Sequence, residues 1–155
     1  MKSKIIAAVF LLSILSVSGC GSSESSSSQE DQAKDAVTGY LQAVKDKNGE
    51  EFCLSVSSDN IDSMLEQIKT AGIKGLEVGT SCADVMNTVF DLSTDTISEE
   101  DVEQVKEGLD KAEVTIEGNK ATIELPEGTA VNDGDDTVNL VREDGTWKVN
   151  AEVTK

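Results

Sequence analysis

A chain of 155 residues with 13 Lys and Arg against 30 Asp and Glu carries a net charge of −17, and it contains no histidine. That balance repels nucleic acid and anionic lipid surfaces. The missing imidazole removes the usual general base and the ordinary zinc sites, and the length fits one folded domain.

The N-terminus reads as an export signal. Lys2 and Lys4 precede an apolar run from Ile5 to Val17 that is interrupted only by serines. At 13 residues the run is shorter than the roughly 20 that a spanning helix needs. It exits through Val17-Ser18-Gly19-Cys20, which resembles the lipobox of bacterial lipoproteins. The resemblance implies cleavage between Gly19 and Cys20, a diacylglyceryl group on the Cys20 thiol, and a protein held to a membrane while facing away from the cytoplasm. The alternative is an ordinary secretory signal with an incidental cysteine. Gly21 carries no inner-membrane retention signal, so an outer-membrane address is open if the cell has one. Without its two leader lysines the chain has 11 basic and 30 acidic residues, a net of −19. A solvated cell-surface protein is the plain reading of that charge.

If Cys20 is acylated, Cys53 and Cys82 remain. In an exported chain an even remainder reads as a disulfide, with two buried free thiols as the alternative. Residues 21–28 are almost all Gly and Ser, a spacer composition. With the residues through Gln32 they make a tether of about 19 Å root-mean-square reach. The expected organisation is therefore a signal over 1–19, a lipidated tether over 20–32 and one domain over 33–155.

Helical periodicity opens the domain. Ala33, Ala36, Val37, Tyr40, Leu41 and Val44 form one apolar stripe. Ser28 with Asp31 is placed to cap its start, and Asn48-Gly49 to stop it. A short helical turn over Glu50 to Val56 turns Phe52, Cys53 and Val56 inward. Three capped, periodic segments follow. Ser58 begins one carrying Ile61, Met64, Leu65 and Ile68 and ended by Gly72. Ser81 with Asp84 caps one carrying Cys82, Val85, Met86, Val89 and Phe90. Ser98 with Asp101 caps one carrying Val102 and Val105 and ended by Gly108. Ile73 to Gly79 is ambiguous, with a short edge strand as one reading.

After Gly108 the period becomes alternating. Ala112, Val114 and Ile116 lead into a Gly118-Asn119 turn, and Ala121, Ile123 and Leu125 return. Val138 and Leu140 precede a second tight turn at Asp144-Gly145. Trp147, Val149, Ala151 and Val153 complete the last strand. Two hairpins joined into one antiparallel sheet, with one face buried and one wet, make this an α+β chain.

The segment Ala36-Val37-x-x-Tyr40-Leu41-x-Ala43 followed by Asp46-Lys47-Asn48, the hairpin at Gly118 with Ala121 on its return strand, and the closing Val141-Arg142-Glu143-Asp144-Gly145-Thr146-Trp147-Lys148-Val149 together resemble the nuclear-transport-factor-2-like (cystatin-like) superfamily. The resemblance covers nearly all of the folded part. It implies N-terminal helices packed on a curved antiparallel sheet of about four strands, shaped as a cone with an apolar pocket at its open end. The superfamily includes isomerases and dehydratases as well as non-catalytic binding domains. Its enzymes place Asp, Tyr or His in the cone. None of their catalytic motifs matches here, so no catalytic residue is assigned.

Tyr40 and Trp147 are the candidate pocket residues, although core packing is the plainer reading of both. Asp133, Asp135 and Asp136 crowd around Gly134 but lack the spacing of a calcium loop, and a solvated turn is the better reading. No Gly-x-Ser-x-Gly elbow and no phosphate-binding glycine loop occurs. The expected function is non-enzymatic binding of a small apolar ligand or an envelope partner, with no metal, cofactor or nucleic acid. An isomerase- or dehydratase-type enzyme acting through Asp or Tyr40, and a structural module of an envelope assembly, are the alternatives.

Overall fold

A computed structural model of the chain describes residues 26–71, 81–94, 97–129 and 136–150. Among them lie helices α1 (Ser26–Lys45), α2 (Gly49–Ser55), α3 (Ser58–Ala71), α4 (Cys82–Leu92) and α5 (Glu99–Lys111), then strands β1 (Glu113–Glu117), β2 (Lys120–Glu124), β3 (Thr137–Glu143) and β4 (Thr146–Val149). The strands form one antiparallel sheet in the order β1-β2-β3-β4. The architecture is α+β, with helices first and the sheet after them.

The sheet follows from turn chemistry and alternation. Gly118 takes φ +65° at the first tight turn, and Asp144 and Gly145 take φ +51° and +84° at the second. These left-handed backbones suit hairpin turns of two residues. Register then stacks Ile116 on Ala121, Ala121 on Leu140 and Leu140 on Val149. The same face carries Ile123, Val138 and Trp147, all buried. The opposite face is polar, and on it Thr122 Oγ1 donates to Asn139 Oδ1 at 3.2 Å.

The core divides into two clusters. In the first, Ala33, Val37 and Leu41 of α1 and Val102, Val105 and Leu109 of α5 close over the sheet's apolar face. In the second, Ala43 of α1 packs with Phe52, Val56, Met86 and Phe90. Tyr40 touches both clusters. Val56 bridges to Val149 in parallel, and Ser57 donates its amide to the Val149 carbonyl at 2.9 Å. This contact fastens the α2–α3 junction to the sheet edge.

Several expected boundaries move. Helix α1 begins at Ser26, so residues 26–32, read as tether, are helical. Ser28 lies inside the helix and accepts from Gln32 Nε2 at 3.4 Å instead of capping it. Extension of a packed helix needs no new nucleus, and serine is only mildly unfavourable there. Asn48 and Gly49 start α2 rather than merely ending α1. The Asn48 side chain accepts from the amides of Glu50 and Glu51, while Lys47 makes the break at φ +53°. Helix α5 passes through Gly108 to Lys111. That glycine is required by contact, because a Cβ there would collide with Thr129 Cγ2.

The caps at Ser81 and Ser98 form as expected. Ser81 Oγ accepts from the Asp84 amide, and Ser98 with Asp101 makes a complete capping box. Gly72, the segment Ile73 to Gly79, Asp133, Asp135, Ala151, Val153 and the whole signal with Cys20 lie outside the described residues.

Candidate functional site

Cys53 on α2 and Cys82 at the start of α4 are joined by a disulfide, with Cα atoms 6.2 Å apart. The bridge closes a loop that contains all of α3. This helix differs from its sequence reading. Its stripe of Ile61, Met64, Leu65 and Ile68 is only half-buried, and none of its residues is fully covered. Ser58 is its first residue rather than a detached cap. The Ser58 amide and hydroxyl donate to the Glu143 carboxylate, the hydroxyl at 2.8 Å. A strand carboxylate thus meets the positive end of the α3 dipole.

Beneath α3 lies a cavity of about 230 Å³. Tyr40, Phe52, Val56, Met64 and Val149 supply its apolar wall, and the amides of Asn60 and Gln67 are its other lining groups. The aromatic part is ordered by ring contacts. Tyr40 lies tilted against Phe52 with centroids 5.6 Å apart, and Phe52 meets Phe90 edge-on at 5.8 Å. Helical spacing explains the placement: Val37 and Leu41 take the sheet side of α1, so Tyr40 and Ala43 turn towards α2. Burial raises the Tyr40 phenol above its ordinary pKa of 10.0. The phenol therefore stays protonated at neutral pH and can donate a hydrogen bond, but it cannot serve as a base. Among the described residues no carboxylate lines this cavity.

Trp147 lies elsewhere. It does not share the Tyr40 cavity; it lines a second, open groove of about 510 Å³ between α1, α2 and the β3–β4 turn. The indole belongs to the core, yet its buried Nε1 has no hydrogen-bond partner among the described residues. Arg142, its register partner across the hairpin, places its guanidinium 5.8 Å from the ring centroid and donates from Nε to the Gly145 carbonyl at 3.0 Å. The separation arises because Trp147 lies towards the start of β4 while Val149, its last residue, borders the Tyr40 cavity.

Asn60, Gln67, Asp35, Glu51 and Leu54 line these spaces and were not singled out by sequence. Leu54 carried a usable signal, being a large apolar residue off the inward positions of α2. Among the described residues no group of three or more His, Cys, Asp or Glu side chains is placed to hold a metal ion, and no helix is long and apolar enough to cross a membrane.

Compared with protein-family models, curated proteins and solved structures, the chain finds no match in any of the three.

Proposed function

We propose that this protein is anchored outside the cytoplasmic membrane by a lipid on Cys20, and that its domain binds a small apolar ligand without transforming it. The observation that carries the binding reading is the chemistry of the Tyr40 cavity. Among the described residues its wall is apolar, its polar groups are two amides and one phenol, and none of the lining side chains is charged at neutral pH. Such a mix of apolar lining and few convergent polar groups is the usual form of a ligand site. The volume of about 230 Å³ is below the ~300–1,000 Å³ of drug-sized sites, which suits a small guest. The resemblance to the nuclear-transport-factor-2-like superfamily supports the same reading, since its cone opens on an apolar pocket. The lipobox-like ending at Gly19-Cys20 and the disulfide, a bond of oxidising compartments, support the address.

The test uses residues 21–155, which keep every described element, and a neutral fluorophore such as Nile red; the acidic surface would repel an anionic dye. Saturable binding that is lost in Met64→Trp, where the larger ring fills the cavity, is the expected result. Binding that is indifferent to Met64→Trp would overturn the reading. For the address, Cys20→Ala should move the full chain out of the membrane fraction, and continued retention would count against the anchor.

A further inference from the structure

We propose that the groove walled by Trp147 is a docking site for a short basic and apolar segment of a partner protein. Among the described residues it shares no lining residue with the Tyr40 cavity, so either reading can fail alone. Two features of the groove ask for different things from a guest. Leu54 of α2 stands 65 % exposed on its wall, beside the bare backbone of Gly39 on α1. Asp35 of α1 and Glu51 of α2 supply charge from two helices, and no Lys or Arg among the described residues lines the groove.

A peptide segment answers both. Its apolar side chain covers Leu54, and its lysine or arginine sits by Asp35 and Glu51. An acidic segment would be repelled by both carboxylates, and a hydrocarbon would leave the charges unanswered. A small organic cation fits the charge but not the shape, because an open groove leaves it largely in water, whereas small-molecule sites bury most of their guest. Arg142 is the nearby cation, and it is engaged by the indole face and the Gly145 carbonyl.

Trp147 is the sole tryptophan, so its emission reports the groove directly. Residues 21–155 are titrated with a blocked tetrapeptide of alternating lysine and leucine, with its glutamate–leucine counterpart, and with octylammonium. The expected result is a saturable emission change with the basic peptide that weakens as salt is added. The double variant Asp35→Asn with Glu51→Gln should weaken it about five- to tenfold. Gly39→Leu, where an added Cβ meets nothing within 4 Å, should fill the groove and abolish binding while the fold persists. The proposal is overturned by silence with the basic peptide, by equal binding of the acidic one, or by indifference to either variant. Octylammonium binding as tightly as the peptide would also overturn it, by making the groove a small-cation site.

Discussion

The Cys53–Cys82 disulfide and the Phe52–Phe90 ring pair join the same two helices, α2 and α4, one link covalent and one by edge-on contact at 5.8 Å. The loop closed by the sulfurs contains α3, the helix that roofs the Tyr40 cavity and has no fully buried residue. Packing alone therefore holds α3 weakly. Its position depends on the fastening at Ser57–Val149, the clamp of Glu143 on Ser58 and the sulfur bridge.

Removing the bridge should cost more order in α3 than in the sheet. For a sequence separation of 29, chain-entropy reasoning gives about 3.5 kcal/mol. The double variant Cys53→Ala with Cys82→Ala should lose roughly that much in denaturant unfolding. Hydrogen exchange should then quicken first in residues 58–71, because a helix with few buried contacts opens with little free energy. Equal protection of α3 with and without the bridge would show that packing suffices.

Two helical glycines should respond to alanine with opposite signs. At Gly49 an added Cβ would sit 2.5 Å from the Ala83 carbonyl oxygen and 2.6 Å from Asn87 Oδ1, the atom that accepts the Gly49 amide. Gly49→Ala should separate α2 from α4 and cost about 1–3 kcal/mol. At Gly39 there is nothing within 4 Å, so Gly39→Ala should gain roughly 0.5–1 kcal/mol from helix propensity. Thermal unfolding of the pair decides it, and shifts of the same sign would contradict the packing described at Gly49.

What the sequence made legible is what depends on near neighbours. The caps at Ser81 and Ser98 and the turns at Gly118 and Asp144-Gly145 each join residues no more than a few positions apart, and the alternation of the strands needs only its own period. Gly108 misled because the reason for it, Thr129, comes from the chain beyond β2. Asn48-Gly49 looked like a stop because the same residue types also end helices; the start it makes is local too, since the Asn48 side chain accepts from the amides of Glu50 and Glu51, and only the contact of Gly49 with Asn87 is distant. The stripe of α3 has the period of a core helix. That it is only half-covered is set by what faces it, which periodicity does not record. Tyr40 and Trp147 went to different cavities for a similar reason: Trp147 and Val149 share a face of β4, but Trp147 lies towards its start and Val149 is its last residue.

The Glu143 clamp predicts an acid-sensitive contribution. Its carboxyl is held below the ordinary 4.5, first by the hydrogen bond from the Ser58 hydroxyl, with the Ser58 amide and Lys148 adding to it against a partial desolvation. A depressed folded-state pKa means stability that is present above the unfolded value and lost as pH falls through the folded one. The melting-temperature gap between the wild type and Glu143→Gln should be widest at neutral pH and close as pH falls below the ordinary carboxylate range. Comparing the two proteins at each pH removes the shared effect of the other acidic residues, whose mutual repulsion also eases on acidification. A gap that does not change with pH would mean that the clamp is not ionic.

Tyr40 offers the most direct reading of the cavity, because it is the sole tyrosine and its ionisation can be followed alone in the ultraviolet. Burial disfavours the phenolate, so the absorbance titration should have its midpoint above 10.0. The sign for stability follows: the folded state keeps its proton longer than the unfolded chain, so this contribution is full below the unfolded pKa and disappears as pH rises through the folded one. In Tyr40→Phe the phenol is lost while the ring contact with Phe52 at 5.6 Å is kept. The phenol makes no hydrogen bond to a described residue, so the change should cost less than about 1 kcal/mol. Any ligand that accepts a hydrogen bond in the cavity should bind the variant more weakly, while one made only of hydrocarbon should not distinguish the two. A midpoint at or below the ordinary value would show the phenol open to water, against the burial that places it in the cavity wall.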